Sequence, residues 1–398
     1  MSFAQHGVEL RSLSRAGLRR SGRRLLPLVI VAAILSLAIG GRVAADRGNL
    51  TGPIQFGAQF APAIHPPSGA IIGSPGGYDG QFFYAQARDP LLLNDSTVAA
   101  MRAAGAGFRL QRVAYPALAF ALAGGQAGAI PFTLLASNVV ILLGLAAAGV
   151  VYTRRRGWSP LWSVAIVLSP GLILAALRDL SDPLALSSML AGLLLWRSGR
   201  RWPAAVALVI AVLTREVMML AVVAVAGEAC VRAWRQSPRP VALRDALSQA
   251  WPVIALPSLA FAGWQAYITV RYGGPVGGAG LDLPLLNFVH EAQADLHGYL
   301  PMAIWDCLYM LLVLAASAAA WLSLRHRVTI TSAAACALSV GVLVPTLGDA
   351  WSDTRLSAPL FALLLVDGLQ RGRRAPVLIS AAAAAMTILI PVAIPGSF

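Results

Sequence analysis

Long apolar runs separated by short polar turns make up most of this chain. Such runs predict membrane-crossing helices, because about 20 apolar residues span a bilayer. Nine runs are predicted to be single crossings: residues 25–41, 130–153, 158–176, 183–196, 251–270, 300–322, 328–347, 355–369 and 376–394. A pair of shorter helices in residues 202–231 brings the prediction to an all-α, polytopic bundle with about 11 crossings.

Residues 202–231 are unsuited to a single helix. One helix would be about 45 Å long, and it would bury Arg215 and Glu216 in mid-membrane, where charge is costly. It would also place Arg232 and Arg235 on the opposite side from the other Arg-rich turns, against the positive-inside rule. We therefore predict two half-helices that meet in a tip at Arg215 and Glu216.

The longest stretch outside the apolar runs is residues 42–112, the predicted first outer loop. It begins rich in Gly and Pro and then has helix-like patterns over 78–87 and 95–104. We expect this loop to lie on the membrane surface. The aromatic side chains of its 78–87 helix would anchor it in the membrane–water interface: Tyr78, Phe82, Phe83 and Tyr84. A second long outer loop covers 271–299, residues 1–24 form a basic cytoplasmic tail, and the whole chain, 1–398, is one domain.

Composition supports a membrane protein, since hydrophobic residues make up 58% of the chain and charged residues only 12%, against about 25% in soluble domains. The net charge of +14 would also fit a nucleic-acid-binding protein. However, the arginines cluster at helix ends, as the positive-inside rule describes. We therefore expect no nucleic-acid partner. Most acidic residues fall on the outer side in this topology, so we expect the chemistry there.

The first candidate for a functional residue is Asp79, which lies between glycine and aromatic residues in the motif Gly77-Tyr-Asp-Gly-Gln-Phe-Phe-Tyr. A carboxylate in this position can act as a general base. It can also cap the helix that follows, and the local sequence favours capping. Asp89 lies ten residues further along.

Several outer turns place Arg beside acidic residues. They are Arg178-Asp-Leu-Ser-Asp-Pro183, Leu213-Thr-Arg-Glu216, Trp351-Ser-Asp-Thr-Arg355 and the helix entrance Gln111-Arg-Val-Ala-Tyr-Pro116, which contains Arg112. Each Arg–acid turn alone could be a structural ion pair or cap, and Arg112 could simply mark the interface. A group in the second outer loop contains His290, Glu291, Asp295 and His297, but it lacks the HExxH spacing of a zinc site, and we expect no metal there.

The order of these motifs resembles the GT-C superfamily of membrane glycosyltransferases, in particular bacterial polyprenyl-phosphate-sugar-dependent enzymes of the mannosyltransferase type. The resemblance covers nearly the whole chain. It implies a multi-pass protein of the bacterial plasma membrane, with a cytoplasmic N-terminus and an extracytoplasmic active site. It also implies that Asp79 is the catalytic carboxylate. Many members carry a paired acidic motif here; this chain has one Asp, which argues against a metal-bridged site and leaves a divalent cation open as cofactor.

Nucleotide sugars are confined to the cytoplasm, so an outward-facing transferase needs a lipid-carried donor. The expected partners are a polyprenyl-phosphate-linked sugar, a glycan or lipid acceptor and membrane lipids. Guanidinium groups bind phosphate through paired hydrogen bonds, so we expect Arg215, Arg355 and, more weakly, Arg178 to hold the donor phosphate. The supporting residues would be Glu216, Asp89, Arg112, Tyr78 and Asp353.

Two other classes of function remain open. A polytopic transporter or lipid flippase is the main rival, although such proteins often show internal repeats and polar residues at the membrane midplane, and no repeat is visible in this chain. The third is an envelope assembly or scaffold protein that keeps the fold without activity.

Overall fold

The computed structural model describes residues 25–236, 240–276, 289–290, 293, 296, 300–343 and 350–393. In that part of the chain the regular structure is helical, apart from one isolated β-bridge between Phe56 and Ile72. The helices are α1 (Leu25–Ala45), α2 (Ala61–Ile64), α3 (Gly80–Arg88), α4 (Asp95–Ala103), α5 (Ala114–Leu122), α6 (Ile130–Arg155), α7 (Trp162–Val167), α8 (Leu172–Ala176), α9 (Asp182–Arg197), α10 (Arg201–Thr214), α11 (Met219–Gln236), α12 (Pro240–Tyr272), α13 (Leu300–His326), α14 (Ile330–Leu343), α15 (Ala350–Arg371) and α16 (Arg374–Ala393).

Membrane-spanning length is reached by five helical stretches of the described chain. They are Leu25–Ala45, Ala127–Arg155, Glu216–Arg235, Arg244–Tyr272 and Leu300–His326. Three shorter apolar helices accompany them: Arg201–Thr214, Ile330–Leu343 and Arg374–Thr387. The prediction of an all-helical protein is therefore confirmed for the described residues, and five of the helical stretches are long and apolar enough to cross a membrane. The total of about 11 crossings stays a prediction.

The expected single crossing over residues 158–176 is instead two short helices, α7 and α8. The turn between them contains Pro170 and Gly171, and Gly171 has a left-handed φ of +77°. A Cβ at Gly171 would lie 2.6 Å from the backbone nitrogen of Arg355. Proline ends the first helix, and glycine allows the close approach of α15. The broken helix thus places the first turns of α15 next to α8.

The predicted break at Arg215 is observed between α10 and α11. The second helix is longer than expected, because α11 belongs to the stretch Glu216–Arg235, which has membrane-spanning length. The backbone of Arg215 is extended, with φ −149° and ψ 126°, and a short 3₁₀ helix, Glu216–Met218, leads into α11. The indole nitrogen of Trp196, at the end of α9, donates to Glu228 on α11 at 3.2 Å. Helix α10 begins directly after α9, so α10 starts and α11 ends at the same end of the bundle. The two helices therefore run in opposite directions from a tip near Arg215, and α12 packs against both of them. We call this pair the α10–α11 hairpin.

The 42–112 segment contains the two predicted helices, observed as α3 and α4. Three of the four aromatic residues expected at the membrane interface are buried instead, which corrects that expectation, whereas Tyr78 is partly buried. Phe82, Phe83 and Tyr84 are buried, and Phe83 packs edge-to-face on Tyr115 with ring centroids 5.6 Å apart. These rings pack with Ile54 and with apolar residues of α5, α6 and α12 in one hydrophobic cluster. This cluster fixes the segment against the helices.

The far end of α12 packs on the 42–112 segment. Arg271 donates from Nε to the carbonyl oxygen of Leu92 at 2.8 Å, and the indole nitrogen of Trp264 donates to the carbonyl oxygen of Leu110 at 2.9 Å. These bonds place the C-terminal end of α12 on the same side of the molecule as the segment. The predicted basic tail, residues 1–24, and most of the second long loop, 271–299, lie outside the described residues.

Candidate active site

A tightly held turn places Asp79 directly before α3. A Cβ at Gly80 would lie 2.6 Å from the carbonyl oxygen of Arg178 and 2.7 Å from that of Ile54, so only glycine fits between these backbones. The next side chain, Gln81, accepts a hydrogen bond from the Gly57 backbone at 3.0 Å. The turn is thus fixed on both sides, and its geometry determines where the Asp79 carboxylate lies.

The Asp79 carboxylate faces arginines and makes no capping hydrogen bond to α3. Arg109 donates from Nε to Oδ1 at 2.6 Å. Nitrogens of Arg112 and Arg355 lie 3.9 and 3.7 Å from Oδ2. The capping alternative, which the local sequence favoured, is therefore wrong, and Asp79 is the counter-ion of three arginines.

The arginines keep the Asp79 carboxylate strongly acidic. Burial alone would raise the pKa of Asp79, but the positive fields of Arg109, Arg355 and Arg112 outweigh burial and lower this pKa from 3.8 to about 2. The Asp79 side chain is 15% exposed. The group is therefore a solvent-reachable carboxylate that is ionised at neutral pH.

Arg112 links Asp79 to the tip of the α10–α11 hairpin. Its Nε and a terminal nitrogen donate to the two carboxylate oxygens of Glu216 at 3.0 and 2.8 Å, a bidentate pair that fixes both side chains. Arg109 and Arg112 share one face because the 3₁₀ helix Gly107–Gln111 brings residues three apart into line. This short helix and Arg112, the residue directly after it, therefore hold two guanidinium groups beside Asp79.

Arg355, on α15, lies between two carboxylates. Besides its contact with Asp79, its Nε lies 3.9 Å from Oδ2 of Asp182, and a terminal nitrogen donates to the Tyr78 hydroxyl at 3.1 Å. Asp182, the first residue of α9, is ion-paired with Arg215 at the hairpin tip. Helices α9, α10 and α15 and the 42–112 segment thus meet at Arg355.

Tyr78 brings Arg178 into the same group. The guanidinium carbon of Arg178 lies 4.3 Å from the centre of the Tyr78 ring, and that of Arg355 lies 5.3 Å from it. A tyrosine ring attracts cations over its face. We use the name Asp79 network for the residues joined by these contacts: Asp79, Asp182, Glu216, Tyr78, Arg109, Arg112, Arg178, Arg215 and Arg355.

Two of the expected supporting residues, Asp89 and Asp353, are not part of the Asp79 network as defined above. Both carboxylate oxygens of Asp89 accept backbone hydrogen bonds, from Leu93 at 2.9 Å and Asn94 at 2.8 Å, so Asp89 stabilises the turn between α3 and α4. Asp353 is buried in the first turn of α15, two residues before Arg355. These contacts make Asp89 a structural residue and separate it from Asp79.

Two members of the Asp79 network, Arg109 and Asp182, were missing from the sequence-based set. Arg109 could have been found from its spacing. It lies three residues before Arg112, and residues three apart lie on the same face of a 3₁₀ helix. Asp182 stood in the Arg178–Pro183 turn, but its partner Arg215 lies 33 residues further along the chain, at the far end of the next helix. That pairing is a tertiary contact with no local signal.

No group of three His, Cys, Asp or Glu residues that could hold a metal ion occurs in the described part of the chain. Three members of the second-loop cluster, Glu291, Asp295 and His297, lie outside the described residues. The Asp79 network is also an unfavourable cation site, because its carboxylates are paired with guanidinium groups.

An apolar cavity of about 430 Å³ lies beside α9. It begins at Leu184, two residues after Asp182, and continues along the helix to Leu194. Small residues form much of its wall, and several of them are exposed at the surface of the bundle: Gly144, Ala148 and Ala191. The cavity can therefore hold an apolar chain that enters from the side.

Comparison with known proteins gives no independent guide to this site. The Asp79 network lies where four parts of the chain meet, and its geometry alone has to indicate the function. No family model, curated protein or solved structure matches the chain.

Proposed function

We propose that this protein is a glycosyltransferase of the GT-C type. It would move a sugar from a polyprenyl-phosphate donor to a glycan or lipid acceptor on the extracytoplasmic face of a bacterial plasma membrane. The observation that carries the proposal is the Asp79 network, in which Asp79 and two further carboxylates, Asp182 and Glu216, lie among five arginines. Such an excess of guanidinium groups beside a potential base suits sugar transfer from a phosphate donor, because the guanidinium groups can stabilise the anionic leaving group.

The proposed donor phosphate would bind at Arg355, with Arg112, Arg178 and Arg215 around it. Arg355 contacts two carboxylates and the Tyr78 hydroxyl. An anion bound at Arg355 would therefore lie at the centre of the Asp79 network. Bidentate hydrogen bonds from guanidinium to phosphate are charge-assisted and strong. The same bonds would stabilise the negative charge that develops on the departing phosphate.

Asp79 would act as the general base in this reaction. A carboxylate with a pKa of about 2 is a weak base, but a bound phosphate would share the arginines and weaken their field on Asp79. The anomeric carbon–phosphate oxygen bond would break as the acceptor oxygen bonds to that carbon. The acceptor proton would pass to Asp79, and polyprenyl phosphate would leave as an anion.

The apolar cavity beside α9 supports a donor with a long hydrocarbon chain. Its wall combines apolar side chains with small residues such as Gly144 and Ala191, which suits a chain that enters sideways from the bilayer. Asp182, in the network, and Leu184, in the cavity, are two residues apart. One donor could therefore place its phosphate in the network and its chain in the cavity.

The transporter or flippase is the second candidate function, and an assay can separate it from a transferase. Purified protein would be incubated with a panel of polyprenyl-phosphate sugars and with extracts of envelope glycolipids, and new glycosylated products would be sought by mass spectrometry. We expect a product that needs both donor and acceptor. Movement of the donor across vesicles without any product would support the flippase and contradict the transferase.

Our first prediction concerns topology, with about 11 crossings and the Asp79 network outside. In a variant without the native cysteines, we expect Ser74→Cys to react with a membrane-impermeant maleimide in sealed cells. Arg244→Cys, near the start of α12, should react only after the membrane is opened. Labelling of position 244 in sealed cells, or failure of position 74 to label, would contradict the orientation.

The second prediction tests the phosphate site at Arg355. Arg355→Lys keeps the charge but loses the planar fork; because hydrogen bonds to charged groups contribute about 1.5–3 kcal/mol, we expect donor binding to weaken by about tenfold or more. Arg355→Ala should weaken it further. The control is Arg155→Lys, the same substitution at an exposed residue at the C-terminal end of α6, which is not part of the Asp79 network. Unchanged donor affinity in both Arg355 variants would place the phosphate elsewhere.

A further inference from the structure

A second group of arginines surrounds a cavity at the other end of the bundle. The cavity measures about 360 Å³, and its charged lining residues are Arg197, Arg232, Arg235, Arg327 and Glu228. Its remaining lining residues are Val231, Val328, Thr329 and Ile330. The arginines come from the ends of α9 and α11 and from the turn between α13 and α14. We call this site the basic cavity.

The basic cavity has more positive than negative charge. Glu228 is ion-paired with Arg232 and also accepts the hydrogen bond from Trp196. Within the described residues, Arg197, Arg235 and Arg327 form no ion pair, although Arg197 donates to the side-chain oxygen of Gln370 at 2.6 Å. Asp367 lies near enough to act on Arg197 electrostatically, but it is ion-paired with Arg371. Arginines therefore outnumber acids around the cavity, and an anion there would offset their mutual repulsion.

Exposed tryptophans place the basic cavity at the level of lipid headgroups. Trp234, next to Arg235, is 71% exposed, and Trp202 and Trp251, whose rings pack together, are 58% and 50% exposed. Tryptophan concentrates at the membrane–water interface. Helix α9 joins Asp182 of the Asp79 network to Arg197, a distance of about 22 Å along its axis. The two charged sites therefore lie near opposite surfaces of a bilayer.

We propose that the basic cavity binds the phosphate headgroup of an anionic phospholipid. Basic pockets between helices on the cytoplasmic side suit such headgroups. The lining favours a lipid over a soluble phosphate, because Val231, Val328 and Ile330 offer apolar surface to the glycerol and the first acyl carbons. A free phosphate ion would gain nothing from that surface.

Lipid in the basic cavity would hold together helices that also build the Asp79 network. Helix α9 carries Asp182 at one end and Arg197 at the other, and α15 carries both Arg355 and Gln370, the partner of Arg197. A ligand that binds only the folded state raises its stability. We therefore expect the bound lipid to stabilise the whole bundle, independently of any transferase activity.

The test uses full-length protein in zwitterionic detergent micelles, with thermal unfolding as the readout and native mass spectrometry to detect retained lipid. Short-chain phosphatidylglycerol should raise the melting temperature in a saturable way, whereas phosphatidylcholine should not. In Arg197→Gln/Arg327→Gln we expect the apparent affinity for phosphatidylglycerol to fall by about tenfold or more. The control Arg154→Gln/Arg155→Gln removes the same charge from exposed positions at this end and should keep the wild-type affinity.

Equal losses in the cavity variant and the control would overturn the proposal, because they would indicate only general attraction to a basic surface. Inorganic phosphate that gives the full stabilisation at the same concentration would overturn the lipid assignment in favour of a soluble anion. If Arg197→Gln/Arg327→Gln does not fold, Arg235→Gln provides the same comparison at an exposed position. Unchanged lipid affinity in Arg235→Gln would then count against the proposal.

Discussion

Replacing Asp79 with Asn should lower the rate of sugar transfer by about 10²–10⁴-fold, the usual contribution of a general base. Asparagine is nearly the same size as aspartate but cannot accept a proton as a carboxylate does. The structure makes this test cleaner than the sequence did, because the Asp79 side chain makes no capping hydrogen bond. A loss of activity therefore cannot come from a lost helix cap.

The same substitution also removes a counter-ion, so the assay has to be normalised to folded protein. The folded pKa of Asp79 is depressed from 3.8 to about 2. This shift stabilises the fold at pH values above 3.8 and is lost as the pH falls through about 2. At neutral pH it corresponds to on the order of 2 kcal/mol, and Asp79→Asn should lower the melting temperature accordingly.

Asp89→Asn is the matched control for Asp79→Asn. Both Asp89 oxygens accept backbone hydrogen bonds in the turn before α4, so this variant should lose stability while each folded molecule keeps its transfer rate. If Asp79→Asn behaved in the same way, Asp79 would be only a counter-ion. Glu216, bidentate with Arg112, would then become the candidate base.

The sequence predicted most of the helices because their signals are local. The apolar runs reappear as α6, α9 and α13–α16 with bounds close to those expected, and the charges at Arg215 and Glu216 correctly indicated a break. The exception, residues 158–176, also had a local signal in Pro170 and Gly171. The prediction of a single crossing relied on the hydropathy of this stretch, and hydropathy does not show where the backbone turns.

The candidate site was only partly visible from the sequence, because its contacts join distant parts of the chain. The sequence identified Asp79, Arg112, Arg215 and Arg355 as chemically notable, yet it could not show which acid pairs with which arginine. The contact between Asp79 and Arg109 spans 30 residues. The aromatic residues of α3 have the composition of an interface anchor, and only the fold of the 42–112 segment shows that they are buried.

Asp182→Ala is expected to be the most destabilising change in the Asp79 network. Asp182 and Arg215 are both buried, and removing one partner of a buried ion pair costs about 3–5 kcal/mol. The loss would leave Arg215 near other arginines without its ion pair, with only the weaker fields of Glu216 and Asp79 to offset them, so the α10–α11 tip should loosen. We expect a lower melting temperature in thermal unfolding and earlier exchange of backbone amides around the tip.

The control for Asp182→Ala is Asp95→Ala, which breaks the ion pair with Arg271 on the surface. Asp95 is 94% exposed, and exposed pairs contribute about 0–1 kcal/mol, so this variant should unfold close to the wild type. The double variant Asp182→Leu/Arg215→Leu should recover part of the loss, because replacing a buried pair with apolar residues leaves no stranded charge. If Asp182→Ala unfolded at the wild-type temperature, the pair would not hold the tip, and Arg215 would be available to a phosphate at little cost in stability.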